Sequence, residues 1–358
     1  MYFSVLFLSL SLPLLHNRTM QLKHHVDSFF SPKLANRYNR HHPLCFVLLH
    51  GFLAHSGTFH SFNQVWKKSL TGDHNTNHNH PTNKEIHNVR ILTVDARNHG
   101  LSPHTASHNQ SLMTEDLTHF LSQQDLYPNP NHHTVVAVGH SMGSGTWTKF
   151  LLDEKEKVKP PIAAFLSMDM PPITGAELSP TLRGELGVFL DIMKHVKLER
   201  VTDYRSGQEA FELAIEQCLP SDQRQDKKAL ARVKGFLSTN LRFTTDSEKK
   251  RVARWKCHVP VLEKALKESQ LFLDAAQYSK ETCQGGIAVP VLSLLGGDSP
   301  IGGQPQYRGR WPHFVKNAND GNLVREVIIP NATHTIYFDQ PEATVTAINR
   351  FLEDVGVF

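Results

Sequence analysis

Two kinds of hydrophobic pattern alternate along the chain. In the first, apolar and β-branched residues fill most positions of a short run: Phe46–Leu49, Val89–Val94, Thr134–Val138, Ile162–Met168, Val289–Leu295 and Arg325–Ile329. Runs of this kind are buried on both faces, as strands of a parallel sheet between helices are. In the second, apolar residues return every three to four positions, as over Pro341–Val355, and predict a helix. Strands separated by helices predict an α/β architecture, with a mostly parallel central sheet flanked by helices.

Two stretches break the alternation. Residues 71–88 (TGDHNTNHNHPTNKEIHN) are poor in apolar side chains and rich in His and Asn, which predicts a solvated loop lengthening a connection between early strands. His74, His78 and His80 lie in it, but no acidic or cysteine partner gives a defined coordination pattern, so a polar surface insertion is expected and a metal site is not. Residues 171–286 read as helical throughout, with helical spacing over Thr181–Val196, Gly207–Cys218 and Val259–Leu273 and no convincing strand between them. An all-helical insertion between two sheet strands predicts a cap that selects substrates and excludes water. The expected plan is a targeting leader over 1–40, an α/β core over 41–170 and 287–358, and a helical cap over 171–286.

Composition narrows the partners. The 358 residues carry a net charge of only +4, with no dense Lys/Arg patch interleaved with aromatics, so nucleic acid is not expected. The four cysteines, Cys45, Cys218, Cys257 and Cys283, have no C-x-x-C spacing and fit buried thiols in a reducing compartment. No run of 18 apolar residues follows the leader, so no transmembrane span is expected. Within the leader, Tyr2–Leu15 is largely apolar, but no positive region precedes it as in a secretory signal. Residues 1–26 contain no acid, while Arg18, Lys23, Lys33, Arg37 and Arg40 gather beside serines and histidines. That pattern predicts a mitochondrial destination, with the secretory pathway as the alternative. The sequon Asn331-Ala332-Thr333 argues the same way, because a glycan there would sit beside His334.

Chemistry concentrates around Gly139-His140-Ser141-Met142-Gly143, which follows an apolar run and opens a helical segment. The form G-x-S-x-G is that of a nucleophile elbow, a strand-to-helix turn that thrusts one serine hydroxyl over a sheet. Ser141 is therefore the candidate nucleophile. A serine needs an imidazole to accept its proton, and His334, in the loop between the last strand and the last helix, is the candidate base. The acid that orients the base has two candidates, Asp169 and Asp298, each at the carboxyl end of a strand and each preserving the order Ser, Asp, His; spacing does not separate them. For the oxyanion, the Met142 N–H at the helix start and the Phe52 N–H after Leu49-His50-Gly51 are the candidate donors, with His50 bracing the loop.

With these residues, the chain resembles the α/β-hydrolase superfamily, in the branch of α/β-hydrolase domain-containing protein 11, bacterial short-chain acyl esterases and yeast mitochondrial ethanol acetyltransferases. The likeness rests on Leu49-His50-Gly51, on Asp95-Ala96-Arg97-Asn98-His99-Gly100-Leu101-Ser102-Pro103-His104, on the elbow, and in the cap on Phe236–Leu241 and Arg254-Trp255-Lys256. The resemblance implies an α/β-hydrolase fold from about residue 43 onward, Asp169 as the acid, Asp298 where asparagine is usual, and Arg97, Asn98 and His99 as loop-holding residues. It also favours mitochondria. The expected activity is that of a serine acyl-transfer enzyme without metal or cofactor, acting on a small ester or acyl thioester through an acyl-serine. Water as acceptor gives an esterase or thioesterase; an alcohol as acceptor, with acetyl-CoA as donor, gives an acetyltransferase. The rival from another class is a non-catalytic hydrolase-fold binding protein, against which the triad and oxyanion loop count. A haloalkane or epoxide hydrolase would need an aspartate in place of Ser141.

Overall fold

The computed structural model describes residues 20–72, 87–127, 133–153, 162–178, 180–221, 224–278, 286–316 and 324–358. Its strands are β1 (His24–Phe29), β2 (Leu44–Leu49), β3 (Val89–Val94), β4 (Thr134–His140), β5 (Ile162–Met168), β6 (Leu241–Thr245), β7 (Arg251–Trp255), β8 (Val291–Gly296) and β9 (Val324–Ile329). Seven of them make one sheet in the order β1-β3-β2-β4-β5-β8-β9. Only β1 is antiparallel to its neighbour. The chain winds outward from β2 to β3 and then crosses to β4 on the far side of β2. Loops leaving β2 and β4 therefore diverge, and the crevice between their carboxyl ends is where open α/β sheets bind ligands.

The helices are α1 (His60–Thr71), α2 (Gln110–Gln123), α3 (Met142–Asp153), α4 (Pro180–His195), α5 (Tyr204–Cys218), α6 (Lys227–Ser238), α7 (Val259–Lys267), α8 (Ile336–Asp339) and α9 (Pro341–Asp354). Because β2 is buried at every position, LCFVLL divides its side chains between two cores. Phe46 and Leu48 pack with Phe62 and Trp66 of α1 and Ile348 and Phe351 of α9. Cys45 and Val47 point the other way, toward Leu117 and Phe120 of α2 and Trp147 and Phe150 of α3. Burying a side chain of this size is worth about 1.5–3 kcal/mol, so both faces of the strand stabilise the sheet that carries the site.

A third apolar cluster lies over the carboxyl edge. It joins Leu190 and Met193 of α4, Phe211 of α5, Leu237 of α6 and Leu262 of α7 to Phe52, Leu53, Met142 and Met170 of the core. The insertion is thus one packed unit with the floor of the crevice.

Three expectations are corrected. Residues 24–40 belong to the fold rather than to a leader: β1 runs beside β3, Ser31 and Asn88 exchange hydrogen bonds of 2.7 and 2.9 Å, and Tyr38 donates to the Val357 carbonyl at 2.7 Å. The cap is not all-helical, since β6 and β7 pair as an antiparallel ribbon; five residues each is too short a run to announce itself among helical patterns. The helix predicted to Leu273 stops at Lys267, where Ser269 at φ 57° turns the chain. His74, His78, His80 and Cys283 lie outside the described residues, as do residues 1–19 and the charged stretch 154–161. No described helix is long and apolar enough to cross a membrane.

Candidate active site

Ser141 stands between β4 and α3 with φ 51°, a left-handed conformation that costs energy for a residue with a side chain. The flanking glycines allow it. A Cβ on Gly139 would come within 2.5 Å of Ser144 Cα on the next helical turn, and one on Gly143 would run into the Leu49 carbonyl of β2. The turn is fixed by Ser141 N–H donating to the Met168 carbonyl at 3.1 Å and by Gly145 N–H returning to the Ser141 carbonyl at 3.1 Å.

Register then sets the neighbours. Leu49 of β2 lies opposite Gly139, and Met168 of β5 opposite His140, so the residues leaving β2, β4 and β5 emerge side by side. Asp169 is the first residue after β5, fully buried, at φ 49°. Its Oδ2 lies 2.7 Å from His334 Nδ1. The Gly296 N–H donates to Oδ1 at 2.8 Å, and the Ser299 hydroxyl donates to Oδ2. These donors compensate a carboxylate that burial would otherwise penalise. A carboxylate at Nδ1 leaves Nε2 of a neutral His334 as the nitrogen free to accept a proton.

Asp298 is elsewhere. It lies two residues beyond β8 and is exposed; among the described residues its main-chain N–H donates to the Ala332 carbonyl at 2.9 Å, and its carboxylate has no hydrogen-bond partner. Of the pair that spacing left open, Asp169 is the one the structure brings to His334. Ser299 escaped the sequence reading, although it is the neighbour of Asp298 and the residue that reaches the buried carboxylate.

The loop after β2 is held by its own residues and by the loop after β3. Among the described residues, neither the Phe52 nor the Met142 main-chain N–H has a hydrogen-bond partner, so both donors are available to a ligand. His50 is buried, with Nδ1 2.8 Å from the Gly51 carbonyl and the Ala96 N–H donating to Nε2 at 3.0 Å. That pairing fixes the neutral tautomer, and burial pushes its pKa down. His99 repeats the arrangement, between the Arg97 carbonyl at 2.9 Å and the Leu53 N–H at 3.3 Å, with a pKa well below the usual range from burial. Asp95 accepts from the Ser56 and Leu101 N–H groups at 2.6 and 2.8 Å, and Arg97 grips Asp116 through two bonds of 2.6 and 2.8 Å. Asn240 in the cap donates to the Leu53 carbonyl at 2.7 Å. These residues brace; their hydrogen bonds are directed at main chain or at one another.

An opening of about 250 Å³, including open solvent, borders Ser141 and Met142. Apart from Thr148 of α3 its other walls are largely apolar, with Met170, Pro172 and Ile173 from the start of the insertion and Leu271 and Phe272 from the segment after α7. No group of three or more metal-ligating side chains occurs among the described residues.

Comparison with known proteins agrees with this architecture. The chain is 29% identical over 268 residues, 74% of its length and 71% of the other, to the mouse protein described as sn-1-specific diacylglycerol lipase ABHD11. It is 24% identical over 323 residues to Esterase YbfF of Escherichia coli, covering 88% of this chain and 96% of that one. A shorter match, 43% over 53 residues and 15% of each chain, is to a probable alcohol acetyltransferase of Saccharomyces cerevisiae. Residues 46–347 match the model of the Alpha/beta hydrolase family, and the chain belongs to that family.

Proposed function

We propose that the protein is a serine ester hydrolase that forms an acyl-enzyme at Ser141. The observation that carries this reading is the strained serine at the carboxyl edge of β4, whose preceding residue His140 is bonded to the main chain of His334, a histidine whose Nδ1 is in turn bonded to a buried carboxylate. In the proposed cycle His334 Nε2 takes the proton from the Ser141 hydroxyl as Oγ attacks the ester or thioester carbonyl. Asp169 holds the imidazole in the required tautomer and stabilises its cation, and the Phe52 and Met142 N–H groups receive the oxyanion. The imidazolium returns the proton to the leaving alkoxide or thiolate. Water, deprotonated by His334, then attacks the acyl group and frees Ser141. No step draws on a metal or redox cofactor.

The apolar side chains beside Ser141 support an apolar acyl group, and the likeness to bacterial short-chain acyl esterases supports a short one. A transfer reading is supported by the short yeast match: an alcohol in place of water would give an ester, with acetyl-CoA as donor. For location, residues 1–19, which are serine-bearing and acid-free with Arg18 as their basic charge, support mitochondrial import, which a fluorescent fusion with and without them tests.

The test of function is a panel of p-nitrophenyl esters from acetate to palmitate, run on wild type and Ser141→Ala. Hydrolysis of acetate and butyrate at least tenfold faster than palmitate, lost in the variant, is expected. Absence of hydrolysis and of fluorophosphonate labelling would leave a non-catalytic binding protein. Acetyl-CoA with and without ethanol separates the acceptors: free acetate marks water, ethyl acetate marks alcohol.

A further inference from the structure

His140, the residue before Ser141, is enclosed at 3% exposure. Its Nε2 lies 2.8 Å from the main-chain oxygen of His334, and its ring stands 4.7 Å from the His334 ring, tilted by 48°. A carbonyl only accepts, so Nε2 carries the proton and donates, which leaves Nδ1 as the lone-pair nitrogen. Nδ1 is buried without a hydrogen-bond partner among the described residues, and a Cβ on Gly51 would come within 2.7 Å of it. The Tyr337 ring closes the far side edge-on, at 4.9 Å. Burial holds the imidazole neutral, with a pKa well below the usual range.

The loop that bears His334 is otherwise tied to its own surroundings. Thr333 donates to the Asp339 carboxylate through its N–H at 2.8 Å and through its hydroxyl at 2.5 Å. The Thr335 carbonyl accepts from Phe338 and Asp339 N–H at 2.8 and 3.0 Å, and the Ala332 carbonyl accepts from Asp298 N–H at 2.9 Å. None of these bonds reaches the elbow. Among the described residues, the His334 main chain meets β4 through the His140 donor, and its side chain meets β5 through Asp169. An imidazole held at Nδ1 alone can swing about that bond; a second fixed point at the carbonyl sets where Nε2 aims.

We propose that His140 is a positioning residue for the His334 base, its Nε2–H clamping the His334 carbonyl so that the imidazole presents Nε2 to Ser141. This rests on the reading of Ser141, His334 and Asp169 given above. His140 does not border the opening beside Ser141. Its loss therefore lowers kcat and leaves KM in place, by about 10–100-fold for a misplacement near 1 Å.

The donor, and not merely the bulk, is what the proposal requires. Glutamine carries an amide nitrogen about as far from Cβ as imidazole Nε2, and asparagine falls short. The experiment is steady-state hydrolysis of p-nitrophenyl acetate by the full chain, comparing His140→Gln, His140→Asn, His140→Phe and Ser141→Ala, with thermal melts to establish folding. Expected are kcat values 10–100-fold low for Asn and Phe at unchanged KM, and within about threefold of wild type for Gln. If Phe does not fold, the Gln and Asn pair decides. Equal losses in Gln and Asn, wild-type kcat in Asn, or a raised KM at unchanged kcat would overturn the proposal. Hydrolysis surviving in Ser141→Ala would instead remove the underlying reading, and the proposal with it.

Discussion

Replacing Asp169 by asparagine probes the site at its most buried point. Three donors converge on that carboxylate: His334 Nδ1–H at 2.7 Å, Gly296 N–H at 2.8 Å and the Ser299 hydroxyl. An amide has one oxygen, and its NH2 must then face a donor or turn the His334 ring to the wrong tautomer. Leaving one buried donor unmatched costs about 1–3 kcal/mol of stability. In serine-protease triads the same exchange lowers kcat by about 10⁴, and a comparable loss is about 5 kcal/mol of barrier at 1.36 kcal/mol per decade. Asp298→Asn, on an exposed side chain, is predicted to change kcat/KM by no more than about twofold. The assay is kcat/KM on p-nitrophenyl acetate for both variants. Asp169→Asn within tenfold of wild type, or a collapse in Asp298→Asn, would refute the reasoning.

Two further perturbations test the scaffold. Gly143→Ala drives a methyl group into the Leu49 carbonyl, an overpacking worth about 3 kcal/mol, so the melting temperature is predicted to fall by about 5 °C with loss of activity; an unchanged melt would show that β2 yields. Burial lowers the pKa of His50, His99 and His140, and takes His55 to about 4 and His108 to about 3. Their folded pKa values lie below the unfolded value near 6.5, so below about pH 6.5 the unfolded chain binds protons that the folded chain refuses. Stability is therefore complete above about pH 7 and declines toward pH 4, by up to about 1.4 kcal/mol per pH unit for each histidine. A urea midpoint that holds steady or rises from pH 7.5 to pH 5 would contradict this.

Of the sheet strands legible in the sequence, β2, β3, β4, β5 and β8 are buried on both faces, while β9 is an edge strand that is half-buried along most of its length. β3 and β5 match their apolar runs end to end, and β2, β4, β8 and β9 within three residues. β1 was hidden because HHVDSF is an edge strand exposed along most of its length, and its polar residues resemble a leader. β6 and β7 were hidden by brevity. At the site, the chain order of Ser141 and His334 and their places at strand ends were readable. The choice between Asp169 and Asp298 was not, because both follow strands. What separates them is distance from the strand end: Asp169 turns inward directly after β5, while Gly296 and Gly297 carry Asp298 out to solvent. His140 and Ser299 were invisible for a related reason, since each acts on a residue more than 100 positions away.

The central claim is that Ser141 is a nucleophile activated by His334. Intact-mass analysis after exposure to a fluorophosphonate, followed by peptide mapping, measures it directly. A single adduct on Ser141 in wild type, absent in Ser141→Ala and formed at least 100-fold more slowly in His334→Ala, is predicted. No adduct in wild type, or the same adduct in Ser141→Ala, would contradict it.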